Sequence, residues 1–532
     1  MNAVCKKCIT LLLYITLSQY YCLEAAILVP EEYPTIQLAI DQANPFDTIY
    51  VDPGIYYENL VIQKPLFLIS KSVPDSVIIH DVERAKGPHV IIIDAEGPGA
   101  IIGFKIKGYH DTNGSGILCN YSNWEIKNCY FIGHQLCINS SQATTKIYNN
   151  TFTEYDPDAE YEPHSDSRAI SLGGDSEVAY NFFTEIFEGI VVSTSSNTKI
   201  FNNLIIDCIY SINCNRGDDL PLSDVFNNVI TTNGTRGSQQ YGINVGKLAN
   251  IRNNIISFCG REGVQGHPEN TTFHNNNVYM NTDNYSGGFR DRTGVLGNIS
   301  LDQLFCDNER MYYLASNSPC IDAGDLLLTD LDNTRSDMGL YGGPYSNDLR
   351  YSPSSFNLLS PMDKDVVTDN TINFKWEKSF DRDANDEIKY RVIIGKKKSY
   401  YEKYARIMSY RIDGIIDTFY TTNNWLKATN VLSDYGIYYW SVEAIDLTGL
   451  YKKAIEINEI YYYSNMYFIL GQNYPNPFNS QTTIPINTFT NNDISLQIFN
   501  ILGQKVYSNT YKSETEINNI TINTENWTNE CL

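Results

Sequence analysis

The stretch TKIFNNLIIDCIYSINCN, residues 198–215, holds two short apolar elements that recur along the chain. The first element, IFNNLI, returns as IKNCYF, IYNNTF, VAYNFF, VFNNVI, IRNNII and FHNNNV. Its fourth residue marks the register and falls at Cys129, Asn150, Asn181, Asn203, Asn228, Asn254 and Asn276. The intervals are 21, 31, 22, 25, 26 and 22 residues, so most repeats take 21 to 26 residues.

A second element alternates with the first. It appears as SGIL at Ser115, QLCI at Gln135, RAIS at Arg168, EGIV at Glu188, YSIN at Tyr210, YGIN at Tyr241 and EGVQ at Glu262. Two short strands and their turns make one coil of a solenoid, because a single coil cannot bury its apolar positions alone. Stacking at about 4.8 Å per coil places isoleucine on isoleucine inside. The repeated asparagine is predicted to lie in a turn and to bond the asparagine of the next coil.

Two other repeat architectures are excluded. A leucine-rich repeat needs its Leu-x-x-Leu-x-Leu pattern, which the chain lacks, and a propeller needs a longer period. The sequence therefore predicts a parallel β-helix.

Both ends of the repeat region resemble pectin-lyase-like right-handed β-helices, a group that includes pectin methylesterases. The segment ILVPEEYPTIQLAIDQANPFDTIYVDPGIYYENLVI, starting at Ile27, is similar to their N-terminal segment. Within it, Ile36, Ala39, Ile40 and Ala43 form one apolar helix face, which suits a cap on the open end of the solenoid. SPCIDAGD from Ser318 and DMGLYGG from Asp337 are similar to the closing segment. The resemblance covers roughly residues 27–345 and implies the fold far more specifically than an activity.

The N-terminus predicts export. Lys6 and Lys7 precede an apolar stretch that is too short to span a bilayer, and small residues follow at Ala25 and Ala26. We therefore expect a signal peptide over residues 1–26. The bulky Tyr21 before Cys22 argues against a lipoprotein. No later segment approaches 18 uninterrupted apolar residues, so no transmembrane segment is predicted.

Composition excludes some partners and favours strands. The 532 residues exceed one compact core, so two or more domains are expected. The 40 tyrosines favour strands over helices. The net charge of −23 argues against nucleic acid, which attracts clustered lysine and arginine. The predicted fold class is all-β, a right-handed parallel β-helix over residues 27–350 followed by two small β-sandwich domains.

The two C-terminal modules each carry their own resemblance. INFKWEKSFD from Ile372 and YYWSVEAID from Tyr438 alternate apolar and polar residues around a tryptophan. Residues 351–466 thus resemble a fibronectin type III-like β-sandwich, which implies a spacer or docking surface. Residues 467–532 resemble the C-terminal sorting domain of type IX secretion substrates, through NYPNPFN from Asn473 and IFNILGQ from Ile498.

The sorting-domain resemblance implies contact with the type IX machinery, passage across the outer membrane, and release or anchoring at the cell surface. Members of that family normally continue past the tryptophan region with a final apolar strand pair. This chain stops at Leu532, soon after Trp527, so a truncated sorting domain is expected.

Nine cysteines remain after the predicted signal peptide. Export permits disulfides, and Cys306 with Cys320 is the predicted pair, closing a short loop at the end of the repeats. The others in the repeat region are predicted to be buried thiols, because no metal-ligand spacing occurs among them. These are Cys119, Cys129, Cys137, Cys208, Cys214 and Cys259.

Three residues are candidates for glycoside chemistry. Asp218, Asp219 and His267 all follow the second element of their coils, so they are predicted to share one turn of the solenoid. Paired carboxylates can act as acid and as base or nucleophile in glycoside hydrolysis. Arg216 and Arg261 are candidates to hold an acidic sugar there. The alternative is a solvated acidic turn with a surface histidine.

Two long insertions fall in the other turn, EYDPDAEYEPHSDSR over residues 154–168 and TTNGTRGSQQ over residues 231–240. Stacked on one side, they can form the wall of a groove, with Tyr155, Tyr161 and His164 placed to stack on sugar rings. Decoration of a tolerant surface turn is the alternative.

Two acidic loops have oxygen ligands at alternating positions, the spacing that suits Ca²⁺, although neither has the glycine and distal glutamate of an EF-hand. An ordinary polar turn is the alternative reading of each. The candidate ligands are Asp330, Asp332 and Asp337 in one loop and Asp381, Asp383, Asn385 and Asp386 in the other.

Three functions remain open. The first is a secreted or cell-surface module that binds polysaccharide or another extracellular ligand. The second is a polysaccharide lyase or glycoside hydrolase acting on an acidic glycan, although no methylesterase or polygalacturonase motif set is complete. The third is a structural stalk of the adhesin type.

Overall fold

The computed structural model has two compact units, residues 1–304 with 317–350 and residues 305–316 with 351–532. It describes residues 26–82, 89–108, 114–154, 166–192, 197–214, 223–232, 239–246, 248–307, 312–346, 350–367, 371–383, 387–396, 409–422, 435–463, 468–476, 480–488, 493–500, 502–512 and 517–523. The predicted signal peptide lies outside the described residues, apart from Ala26.

The first unit is a parallel β-solenoid of about nine turns, as the repeats predicted. Each coil gives one strand to each of three parallel sheets. Sheet 1 contains Ala26–Val29, Thr48–Val51, Phe67–Ser70, Pro98–Ile102, Asn123–Lys127, Thr144–Tyr148, Glu177–Ala179, Lys199–Phe201, Ser223–Phe226, Ala249–Arg252 and Thr272–His274. Sheet 2 contains Gly54–Tyr57, Val77–His80, Lys105–Lys107, Tyr130–Ile132, Thr151–Thr153, Phe182–Thr184, Leu204–Ile206, Val229–Thr231, Ile255–Ser257 and Asn277–Tyr279. Sheet 3 contains Leu60–Ile62, His89–Ile93, Ser115–Asn120, Leu136–Ser141, Arg168–Gly173, Glu188–Val192, Tyr210–Asn213, Tyr241–Val245, Glu262–Gly266 and Asp283–Tyr285.

The interior consists of rows of identical or similar apolar side chains. On sheet 2, the rings of Phe131, Phe152 and Phe183 stack with centroids 4.9 Å apart at each step. Apolar burial of this kind is worth about 25 cal/mol per Å². Stacking like on like lets every coil contribute to one continuous core. On sheet 3 the inward row is Ile117, Ile138, Ile170, Ile190, Ile212, Ile243 and Val264.

The predicted asparagine ladder is confirmed and extends one coil further, to Asn298. The side-chain oxygen of Asn228 accepts the backbone N–H of Asn203 and also its Nδ2, both at 3.0 Å. The Asn228 Nδ2 donates to Ile200 O at 2.9 Å and to Asn254 Oδ1 at 3.0 Å. Because these amides are fully buried, the ladder satisfies backbone groups that the turn between sheets 1 and 2 leaves without a strand partner. Its members are Asn150, Asn181, Asn203, Asn228, Asn254, Asn276 and Asn298.

The first coil is covered by helix α1, Ile36–Gln42, as the sequence predicted. Thr35 caps it by accepting the Leu38 N–H at 3.2 Å. The carboxylate of Glu58 accepts the N–H groups of Ile36 and Gln37 at 2.9 and 2.8 Å. These contacts satisfy orphan donors at the helix N-terminus and turn its apolar face into the core. A 3₁₀ turn, Pro74–Ser76, precedes the second strand of sheet 2.

Residues 320–345 form a strap that runs along the outside of the solenoid. The Nδ2 of Asn227 donates to Asp337 O at 2.9 Å and to Gly339 O at 3.3 Å. Asn202 donates to Leu340 O and Gly342 O at 2.7 and 2.9 Å. Phe201 lies under the strap, with its ring 5.4 Å from that of Tyr345. The segment that resembles the closing segment of pectin-lyase-like proteins therefore returns along the coils.

The second unit contains small β-sheet domains. Sheet 4 consists of Leu358–Ser360, Asn373–Trp376 and Phe419–Thr421. Sheet 5 consists of Val366–Val367, Lys389–Lys396, Ser409–Ile415, Tyr435–Ile445, Tyr451–Lys453 and Asn458–Tyr463. The two sheets share one core, in which both predicted tryptophans, Trp376 and Trp440, are buried. Sheet 6 consists of Phe468–Leu470, Gln481–Thr488 and Ile517–Asn523, and sheet 7 of Ile494–Phe499 and Lys505–Tyr511.

Candidate functional site

The outer face of sheet 3 carries two parallel rows of side chains that the interior does not use. From strand Leu136–Ser141 onward, the first residue of each strand lies outside the apolar core, and most of these residues pair in register with the first residue of the next coil. The fourth residue does the same, although Val191 and Asn213 are buried. The first outer row is Leu136, Arg168, Glu188, Tyr210, Tyr241, Glu262 and Asp283. The second outer row is Asn139, Ser171, Val191, Asn213, Asn244 and Gln265.

At two of these strands, a glycine at the second position lets the backbones of adjacent coils lie close together. Gly242 is the second residue of its strand, and a Cβ there would lie 2.1 Å from Gly263 O. At Gly189, a Cβ would lie 2.5 Å from Ser211 O. The backbones of adjacent coils therefore approach closely beneath the outer rows, which only the smallest side chains permit.

The centre of the first outer row is a stacked tyrosine pair. The rings of Tyr210 and Tyr241 lie 4.9 Å apart and 11° from parallel, and Phe187 packs edge-on against Tyr210 at 5.5 Å. Both tyrosines are partly exposed. Beside them, Asn244 Nδ2 donates to Asn213 Oδ1 at 3.2 Å in the second outer row. Aromatic faces next to a row of amides offer apolar contact together with uncharged donors and acceptors.

Ionic groups flank the tyrosines on both sides. Arg168 Nε donates to Glu188 Oε2 at 2.7 Å, and Glu188 is buried. On the other side, Glu262 and Asp283 are partners in adjacent coils. Glu262 Oε2 is buried and has no hydrogen-bond partner among the described residues.

The sequence candidates for acid–base chemistry are only partly described. Asp218, Asp219 and Arg216 lie outside the described residues, as do Tyr155, Tyr161 and His164. His267 is exposed and follows strand Glu262–Gly266, with its N–H donating to Val245 O at 3.2 Å. Arg261 precedes the same strand, so the extended chain separates it from His267 by roughly 20 Å. The structure does not bring this arginine to the histidine.

The carboxylates of the predicted calcium loop at residues 330–337 accept hydrogen bonds from backbone N–H groups. Asp330 Oδ2 accepts the Asp337 N–H at 2.7 Å, and its other oxygen accepts the Gly343 N–H. Asp337 Oδ1 accepts the Asp322 N–H at 2.8 Å. Asp332 Oδ1 accepts from Thr334 N at 2.9 Å. Burial raises the pKa of the Asp330 carboxyl above its ordinary value, in spite of these hydrogen bonds.

The second predicted calcium loop is half outside the described residues, where Asn385 and Asp386 lie. Asp381 Oδ1 accepts from Ser316 Oγ at 3.2 Å and from the Asp383 N–H at 3.0 Å. Asp383 accepts the Tyr351 N–H at 3.2 Å. Across the part of the chain that the structure describes, no group of three or more histidine, cysteine, aspartate or glutamate side chains is placed to hold a metal ion.

The predicted disulfide is not formed in the structure. Cys320 Sγ accepts a hydrogen bond from Asn277 Nδ2 at 3.3 Å, and burial raises the pKa of its thiol to about 12. Cys306 is a buried thiol of the second unit. The predicted buried thiols of the repeat region are confirmed, since Cys119, Cys129, Cys137, Cys208, Cys214 and Cys259 are all buried outside disulfides.

Sequence reasoning did not single out the outer rows of sheet 3, although the repeated second element contains them. The residues of the two rows are the first and fourth letters of the repeated motifs RAIS, EGIV, YSIN, YGIN and EGVQ. The motif taken at Gln135 was one residue out of register, because Leu136 pairs with Arg168 of the next coil.

Comparison with known proteins identifies one module. A family model described as a secretion system C-terminal sorting domain matches residues 472–529. The chain is therefore exported by type IX secretion to the cell surface or the extracellular space. No curated protein matches the chain. Among the described residues, no helix combines the length and apolar character needed to cross a membrane.

Several solved structures are similar at low identity. An alginate lyase from a Paenibacillus species is 13% identical, with a TM-score of 0.39, and the match covers 48% of this chain and 96% of that one. A pectate lyase is 13% identical with a TM-score of 0.33, covering 57% and 90%. The pectin methylesterase of Aspergillus niger is 14% identical with a TM-score of 0.31, covering 52% and 94%. Similarity at this level says nothing about activity or substrate.

Proposed function

We propose that this exported protein binds a polysaccharide along the outer face of sheet 3. The observation that carries the proposal is the stacked, partly exposed pair of Tyr210 and Tyr241 beside an amide row. Aromatic faces supply large contact area for the apolar faces of sugar rings, and amides bond their hydroxyl groups. The face lies on a rigid stack of strands, which holds these groups in fixed positions.

The other modules fit this role as delivery and spacing elements. In the proposal, residues 1–26 are a signal peptide and residues 351–466 a fibronectin type III-like spacer. Residues 467–532 direct the chain through the type IX machinery. The right-handed sense of the solenoid over residues 27–350 belongs to the same proposal.

The test is binding of the full-length mature protein to a panel of polysaccharides, measured by affinity electrophoresis and calorimetry. We expect Tyr241→Ala to weaken binding about tenfold or more, because an aromatic hot spot typically supplies over about 1.4 kcal/mol. Tyr130→Ala is the matched control, since Tyr130 is a partly exposed first residue of a strand in sheet 2. Equal loss in both variants, or binding unaffected by Tyr241→Ala, contradicts the proposed site.

A second candidate, a polysaccharide lyase or glycoside hydrolase, is favoured by the pair of Glu262 and Asp283. Adjacent parallel strands lie about 4.8 Å apart, and retaining glycosidases hold their two carboxyl groups about 5–5.5 Å apart. Release of reducing ends, or absorbance of unsaturated ends, that disappears in Glu262→Gln would favour this candidate. Neither binding nor product with any polysaccharide would favour the third possibility, a structural stalk.

A further inference from the structure

The only cation of the first outer row is already neutralised. Among its described members, Arg168 is the single cation, against the carboxylates of Glu188, Glu262 and Asp283. The guanidinium of Arg168 contacts Glu188 through both Nε and a terminal nitrogen. An anionic ligand that used this arginine would have to compete with the buried Glu188 carboxylate, and separating a buried ion pair is unfavourable.

The remaining carboxylates of the row can accept hydrogen bonds from a ligand. Glu262 Oε2 is buried without a hydrogen-bond partner among the described residues, and Asp283 is exposed in the next coil. An ionised carboxylate only accepts hydrogen bonds. A sugar hydroxyl can donate to it, whereas a sugar carboxylate brings further acceptors and a charge of the same sign.

The second outer row presents amides, which match hydroxyl groups. Asn213, Asn244 and Gln265 follow one another in register on three successive coils, and Asn244 and Gln265 are partly exposed whereas Asn213 is buried. An amide offers two donors and an acceptor without net charge, so it can bond a hydroxyl in either direction. Amides of this kind give no preference for an acidic sugar over a neutral one.

The net charge of the whole chain also disfavours an acidic ligand. A net charge of −23 creates a negative potential that slows and weakens the approach of a polyanion. We infer that the outer face of sheet 3 takes an uncharged polysaccharide, recognised by its hydroxyl groups and ring faces, rather than an acidic one. This inference rests on the proposed function and names its ligand class.

The test compares three classes of polymer on the full-length mature protein at low and high salt, with and without calcium. Mannan, xylan and β-glucan serve as neutral probes, alginate and polygalacturonate as acidic probes, and chitosan as the basic probe. We expect a neutral polymer to bind at least tenfold more tightly than either acidic polymer. Its affinity should change less than about twofold with salt, because screening acts on charged contacts.

A variant with fewer carboxylates on this face tests the role of charge directly. Glu262→Gln with Asp283→Asn removes two negative charges from the face, so we expect acidic polymers to gain affinity several-fold relative to neutral ones. Asp75→Asn is the control, because Asp75 is an exposed carboxylate that pairs with Lys105 of sheet 2 at 3.3 Å. An equal gain in affinity for acidic polymers in the control variant would contradict a local effect of Glu262 and Asp283.

The outcomes separate the inference from the proposed function. An acidic or basic polymer that binds more tightly than every neutral one, and loses affinity in Tyr241→Ala, overturns the inference and leaves the proposed function standing. Absence of binding to all three classes overturns both. Tight neutral binding that depends on Tyr241 supports both.

Discussion

The two asparagines of the Asn227–Asn228 doublet make different contacts. In Asn227–Asn228, the first residue adopts a φ of 54°, which asparagine tolerates, and its amide holds the strap. The second turns inward and belongs to the buried ladder. A doublet that indicates a single turn in the sequence therefore contacts the strap with its first residue and the buried ladder with its second.

Removal of one ladder amide should destabilise the solenoid severely. Asn228→Ala leaves the Asn203 N–H and Ile200 O without their partners, and each unpaired buried group costs about 1–3 kcal/mol. We expect a clear fall in the midpoint of thermal unfolding, followed by circular dichroism. Asn197→Ala, at an exposed asparagine, should change the free energy of unfolding by less than about 0.5 kcal/mol. Similar midpoints for the two variants would contradict the role of the ladder.

The buried thiols should make the solenoid sensitive to alkali. Burial raises the pKa of Cys119, Cys214 and Cys259 to about 12, against about 8.5 in an unfolded chain. Between these values the unfolded chain has lost the proton that the folded chain keeps, so stability falls as the pH rises. The slope is about 1.4 kcal/mol per pH unit for each thiol.

A single substitution isolates one thiol. Cys119→Ala should reduce the slope of unfolding free energy against pH between about pH 9 and 11 by that amount, measured by urea unfolding at a series of pH values. At neutral pH the thiol is protonated in both states, so the free energy of unfolding of the variant there measures the cost of lost packing alone. An unchanged slope would show that this thiol already ionises in the folded protein.

Local acidic spacing does not distinguish a calcium loop from a capped turn, for a physical reason. Asp332 and Asp337 occur in the alternating pattern that suits a metal loop, but the same pattern suits side chains that cap backbone N–H groups in turns. Asp330 accepts two such N–H groups from residues 7 and 13 positions away. Which partner an aspartate finds depends on the path of the strap, and no local pattern encodes that path.

At the level of elements, the strap is held by the outer asparagines. Asn227→Gly keeps the positive φ available while it deletes the amide that reaches Asp337 O and Gly339 O. We expect faster hydrogen exchange and proteolysis of residues 337–345, measured by mass spectrometry. Asn128→Gly is the matched control, because Asn128 has a φ of 54° but is exposed on a coil outside the strap. Equal protection in both variants would mean that the Asn227 amide is not needed to hold the strap.

The coils were predictable from the sequence and the strap contacts were not. IFNNLI and YSIN recur at intervals that fix the strands, the inward rows and the ladder, because each coil contacts only its neighbours. Asn202 instead meets Leu340 O, 138 residues further along the chain. The outer rows of sheet 3 were predictable in part. The repeats give the register of these rows, but the exposure of their side chains depends on which other segments cover the face.

At the scale of the whole molecule, the sorting module and the solenoid have separate cores. Ile486, Ile520 and Ile522 form a small core within the sorting module, apart from the apolar interior of the solenoid. Deletion of residues 472–532 should therefore leave the solenoid folded, with its thermal transition retained. In a host with type IX secretion, we expect the shortened chain to remain in the periplasm, detected by fractionation and immunoblotting. Full-length Tyr130→Ala should reach the surface or medium as the parent does. Surface delivery of the shortened chain would show that residues outside the matched domain suffice for sorting.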